Sequence, residues 1–175
     1  MKKTLINALF AATLAAIAGT AAADSGRISF EGEITESACS IGGGQLGSNM
    51  TVSMGSISTN MFSGVGVRGP KQDFTISLLG CDISVATTAS ISFAPGAGSV
   101  VASRLLGLEN ASGARGVAVG LEQDGTDIIV GGAAKSYTLQ EGTNNLNFKA
   151  FYEATDANVT AGAANARAVF EVTYS

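Results

Sequence analysis

The chain has 175 residues, with 10 basic and 14 acidic side chains, a formal net charge of −4 and no histidine. That length fits one domain with a real core. The acidic balance without Lys/Arg clusters argues against nucleic-acid binding or docking on anionic lipid by charge. The missing histidine removes the commonest general base, the usual metal ligand and any Ser-His-Asp arrangement.

The first element is not part of the fold. Lys2 and Lys3 are followed by an apolar run, Leu5 to Ile17, and by Ala21-Ala22-Ala23. This is the pattern of a secretory signal peptide over residues 1–23, cut after Ala23. The run is short of the roughly 18 residues expected of a membrane span. Export to an oxidising compartment favours pairing of the two cysteines, Cys39 and Cys81. The alternatives are two buried thiols or a two-cysteine metal site, the latter lacking any histidine or second cysteine pair to complete four ligands.

Short β-like runs separated by Gly, Asn, Asp and Ser follow. In "RISFEGEITESAC", residues 27–39, Gly26, Ile28, Phe30, Gly32 and Ile34 share one face and Arg27, Ser29, Glu31 and Glu33 the other. That two-residue period predicts a half-buried strand. Further runs are 50–57, 72–81, 88–94 before the breaker Pro95-Gly96, 116–123, 126–131, 146–154 and 166–175. Asp124-Gly125 predicts a tight hairpin. Phe74, Ile76, Leu78, Phe148 and Tyr152 are expected core, and Phe170, Val172 and Tyr174 alternate on one face of the last strand. Stretches 41–49 and 96–115 read as loops, the second with a short helical turn around Arg104 to Leu106. Seven or so strands with turn signals predict a β-sandwich.

Catalytic and ligand motifs are absent. "GGGQLGS", residues 42–48, is glycine-rich but lacks the lysine that reaches a phosphate. Asp124 and Asp127 lack the rest of a calcium loop and read as solvated turn residues. Glu31, Glu33 and Glu36 read as the wet face of the first strand. Three Asn-x-Ser/Thr matches, at Asn49, Asn110 and Asn158, carry little weight in a secreted chain of bacterial type. The 8 Phe and 3 Tyr form no cluster suggesting a sugar site. No cofactor and no metal is expected.

Three stretches in order, "FEGEITESAC", "FTISLLGC" and "AVFEVTYS" with its penultimate Tyr174, together with "FKAFYEA", resemble the type 1 family of chaperone–usher fimbrial pilins. The resemblance implies an all-β, incomplete immunoglobulin-like β-sandwich lacking its final strand, completed by a donor strand. It implies a donor-strand extension over residues 24–35 and a pilin domain over 36–175. Gly26, Ile28, Phe30, Gly32 and Ile34 would be the donor face, with Gly26 at a shallow pocket where exchange starts. Phe170, Val172 and Tyr174 would line the acceptor groove, and basic chaperone residues would hold the Ser175 carboxylate. The implied partners are neighbouring pilin subunits, a periplasmic chaperone and an outer-membrane usher, with the product a fimbrium on the cell surface. Two other readings stand beside it: a minor tip or adaptor subunit, or a stand-alone secreted β-sandwich binding module. A hydrolase using carboxylates is a distant third.

Overall fold

A computed structural model of the chain describes residues 27–29, 37–109 and 113–175. The chain divides into a short unit, Met1–Ile34, and a main unit, Thr35–Ser175. Every described element lies in the main unit, and apart from two single 3₁₀ turns, Gly44–Leu46 and Thr59–Met61, all of them are strands.

Alternation of apolar and polar residues decides which side of each strand is buried. Strand β1 (Ser40–Ile41) pairs with β2 (Gln72–Cys81), and β2 pairs with the long β9 (Gly142–Ala154). Strand β6 (Val117–Gln123) lies on the other side of β9 and also pairs with β5 (Leu105–Leu106) and β7 (Thr126–Ile128). Strand β4 (Val100–Val101) closes that edge. The second sheet places β3 (Thr88–Pro95) between β8 (Lys135–Thr138) and β10 (Ala168–Tyr174). All of these pairings are antiparallel.

The two sheets meet through their apolar faces. Register sets Phe74 opposite Phe148 and Ile76 opposite Leu146. From the second sheet Phe93 reaches Phe148 edge-on, with ring centroids 5.4 Å apart, and Phe74 stacks on Phe148 at 5.3 Å. Ile76, Leu78 and Phe148 are fully buried and Tyr152 nearly so, as expected, whereas Phe74 is half-buried. On the outer side of β2 and β9, cross-strand pairs hold the polar residues: Asp73–Lys149 at 2.6 Å, Thr75–Asn147 at 2.8 Å and Ser77–Asn145 at 2.7 Å.

Cys39 and Cys81 form a disulfide, both buried. It ties the start of β1 to the end of β2 across 42 positions. Closing such a loop stabilises by about 4 kcal/mol on the chain-entropy model.

Turn chemistry accounts for one success and one correction. Asp124 (φ 50°) and Gly125 (φ 78°) are both left-handed and join β6 to β7, as the Asp-Gly pair predicts. The expected helical turn at Arg104 to Leu106 is instead a small hairpin, β4–β5. Its central residues Ala102 (φ 47°) and Ser103 (φ 60°) adopt the same left-handed pair. Neither is a Gly or Asn, so no local signal announces that turn. Strand β8 and the two-residue β1 have no counterpart among the expected runs. Both are short and mostly exposed, so they lack a clear alternation.

Candidate functional site

Among the segments of the main unit that lack a strand partner on one side or both among the described residues, two set a row of apolar side chains against the core. The first is β10. It pairs with β3 along its whole length, from Ala168 opposite Pro95 to Tyr174 opposite Ala89, and with nothing described on its other side. Phe170, Val172 and Tyr174 face inward, half-buried, and pack on the core, while Val169, Glu171 and Thr173 are exposed. Phe170 lies 6.3 Å from Phe93, ring centroid to ring centroid. These three residues sit on one face, as the sequence predicts.

The second segment is Met50 to Ile57. Its side chains alternate from Met50 to Met54, and beyond Gly55 (φ 68°) Ile57 returns to the same face: Met50, Val52, Met54 and Ile57 are half-buried against the same core, while Thr51, Ser53 and Ser56 are exposed. Yet no described strand pairs with it. Its Thr51 amide donates to the side chain of Gln45 at 3.1 Å rather than to a neighbouring strand. Unpaired N–H and C=O groups along an extended segment are a template for a further strand. The run is visible in the sequence, but its lack of a ladder is not, because alternation reports burial and not pairing.

Half-burial is the shared signature. In a finished sandwich the inner face of a strand is covered on both flanks, so Phe170 and Met54 would be as closed off as Phe148. The hydroxyl of Tyr174 adds to this picture. It is buried with no partner in hydrogen-bond geometry. Burial dominates and pushes the phenol pKa up, against a smaller opposing influence from the nearby Ser37 side chain. A buried hydroxyl without a partner costs stability until something supplies one.

The last residue is held by the chain itself. The Ser175 amide donates to the Thr88 carbonyl at 2.9 Å, and a Ser175 oxygen accepts from the Thr87 and Thr88 amides at 3.0 and 2.9 Å. Of the expected donor face, only Ile28 is described, and it is 78% exposed. Gly26, Phe30, Gly32 and Ile34 lie outside the described residues, as do Glu31, Glu33 and Glu36.

A separate cluster lies on the outer face of the larger sheet. Glu122 on β6 and Glu153 on β9 are buried, and Asp127 on β7 is partly so. Arg68 grips Asp127 with two bonds of 2.9 and 2.6 Å and Glu153 with one of 2.9 Å, and its guanidinium lies 4.5 Å above the Phe151 ring. Lys71 pairs with Glu122, and Arg104 with Glu153 and Asp127. Three cations balance three anions. The Arg68 hydrogen bond holds the Asp127 carboxyl below the ordinary range, against burial. Asp127 is therefore not the solvated turn residue expected. Its partners Arg68 and Arg104 are remote in sequence, and pairing at that distance leaves no local pattern. Such compensated charge is an architectural tie across β6, β7 and β9.

Among the described residues, no group of three or more metal-ligating side chains converges, and no helix is long and apolar enough to cross a membrane. The site is thus a pair of open apolar edges over one core.

Comparison with known proteins agrees. Residues 28–175 match the fimbrial protein family. The fimbrial subunit type 1 of Klebsiella pneumoniae is 34% identical over 175 residues, covering 97% of this chain and 94% of that one. The type-1 fimbrial protein A chain of Escherichia coli is 33% identical over 177 residues, covering 97% and 95%. Among solved structures, the P pilus rod subunit PapA superposes with a TM-score of 0.65 at 25% identity, over 79% of this chain and 100% of that one. A type I fimbria protein of Burkholderia pseudomallei superposes with a TM-score of 0.59 at 40% identity, over 80% and 91%. With its immunoglobulin-like sandwich, its disulfide and its open edges, the chain belongs to the fimbrial protein family and is a structural pilus subunit, not an enzyme.

Proposed function

We propose that this subunit polymerises by donor-strand exchange, its acceptor groove bounded by Met50 to Ile57 on one side and by β10 on the other. The observation that carries this reading is the pair of unpartnered edges whose inward side chains stop at half-burial over one continuous core. A strand inserted between them gains main-chain hydrogen bonds for affinity, while alternate side chains fill pockets for specificity. Chaperone–pilin donor-strand complementation is itself an established example of such strand addition. The donor is residues 24–35 of a neighbouring copy, presenting Gly26, Ile28, Phe30, Gly32 and Ile34. Ile28 has its side chain 78% exposed, which suits a residue awaiting a partner. Burying each large donor side chain contributes about 1.5–3 kcal/mol.

Before assembly the same groove takes a strand from a periplasmic chaperone, whose basic residues hold the Ser175 carboxylate, and the outer-membrane usher is where the neighbour replaces it. The product is a fibre on the cell surface. A minor tip or adaptor subunit would use the same groove, and its loss would shorten fibres rather than abolish them.

Two variants test the donor assignment. A chain lacking Asp24 to Ile34 should still be captured by its chaperone but form no polymer. Phe30→Asp should slow assembly far more than Glu31→Ala, followed by native gel over time. Polymer from the truncated chain, or equal effects of the two substitutions, would count against the proposal.

A further inference from the structure

The segments flanking both proposed groove walls are bonded to one residue, Tyr152 on β9. Its carbonyl accepts the Gly69 amide at 2.8 Å, and its hydroxyl donates to the Ala164 carbonyl at 2.6 Å. Gly69 belongs to the segment that follows the first wall, and it lies close beside Ile57 of that wall. A β-carbon at Gly69 would stand 3.2 Å from the Ile57 Cδ1 atom and 3.5 Å from the Phe62 ring. Ala164 belongs to the segment that leads into β10, the second wall. Its neighbours face outward: the Ala163 and Asn165 carbonyls accept from the Ala114 and Glu109 amides at 2.9 and 2.8 Å. Ala164 and Ala166 pack on the core, and the Ala164 carbonyl takes its part-buried hydrogen bond from the phenol. Tyr152 is itself 9% exposed, and burial raises the pKa of its phenol.

We infer that Tyr152 is a positioning residue that sets the separation of the two groove walls, and thereby the size of donor side chain the groove accepts. The inference rests on the donor-strand reading above. Its physical basis is short. The β9 backbone fixes one end of the link, the phenol ring is a rigid spacer of fixed length, and the two hydrogen bonds reach the segments that flank the two walls, at Gly69 and at Ala164. Removing the hydroxyl leaves a part-buried carbonyl without its donor, and the Ala164 segment must readjust between its backbone bonds at Ala163 and Asn165 to relieve it. That movement would carry the start of β10 with it. The ring's apolar packing survives, so the fold is retained.

The test uses the full mature chain and a fluorescent peptide of this chain's own residues 24–34, in the native sequence and with Phe30→Ala. Wild-type protein should capture the native peptide in preference to the Phe30→Ala peptide. Tyr152→Phe should keep the β-sheet circular dichroism and weaken capture of the native peptide by about fivefold, the worth of one ordinary hydrogen bond. The decisive readout is the ratio of the two affinities, which should shrink because a loosened groove no longer grips the large side chain. A uniformly destabilised domain would lower both affinities and leave the ratio alone. Gly69→Ala, which pushes on Ile57 in the first wall, should reduce the same ratio without touching the phenol. An unchanged ratio in both variants overturns the inference while leaving donor-strand exchange standing. Failure of the wild-type chain to capture the native peptide overturns the donor-strand reading, and this inference with it.

Discussion

The outer face of the larger sheet and the open edges at β10 and Met50 to Ile57 are opposite solutions to the same problem. On the outer face, three acidic groups are wholly or largely withdrawn from water, and each has a cation at hydrogen-bond distance. At the edges, inward apolar side chains stop at half-burial, and the buried Tyr174 hydroxyl has no partner in hydrogen-bond geometry among the described residues. The domain is complete by itself at the first region and incomplete at the second. Buried charge must be compensated within the chain because an unpaired ion is costly in any state. An unpaired strand edge is tolerable in a chain whose edge is soon covered by another.

That contrast meets its severest test in the core between the sheets. Phe148→Ala removes a fully buried ring in contact with Phe74 and Phe93, and should cost about 4 kcal/mol by chemical denaturation. Phe170→Ala, half-buried at the open edge, should cost clearly less in the unassembled chain and relatively more in the polymer. If the two substitutions cost the same before assembly, β10 is already closed.

A smaller effect is expected on the finished face. Arg68→Met keeps the packing over Phe151 but strips Asp127 and Glu153 of a partner. Arg104 and Lys71 remain, and Arg68 is itself 32% exposed, so the loss should be about 2 kcal/mol, below the usual figure for a fully buried pair. Assembly rate should hardly change, since the cluster lies on the opposite side of the sheet from the core. An assembly defect larger than the stability defect would show that the two regions are coupled.

The smallest effect is in pH. The Arg68 hydrogen bond lowers the folded pKa of Asp127, so in acid the unfolded chain takes up that proton first. Its contribution is complete above the ordinary carboxylate value of about 3.9 and is lost as pH falls through the lower folded value. Asp127→Asn should therefore flatten the acid limb of the stability–pH curve. Parallel limbs for the two proteins would remove Asp127 from the account.

Much of this protein is legible in its residues. Alternation in much of β2, β9 and β10 identifies the strands and their buried faces, because a strand's side chains have a period of two whatever it pairs with. Asp124-Gly125 announces its turn because both positions need a left-handed backbone. The cysteine pair follows from export. The family resemblance follows from the order of those features. Other parts depend on long-range geometry. The hairpin at Ala102-Ser103 is held by the strands around it and not by its own residue types. The cluster on Arg68 joins segments separated by 59 and 85 positions, and no local pattern reports such pairing. That Met50 to Ile57 is extended can be read from its alternation; that it stands without a partner cannot. Side-chain periodicity is a property of one strand, whereas hydrogen bonding belongs to two, and only the folded chain decides which edges find a mate.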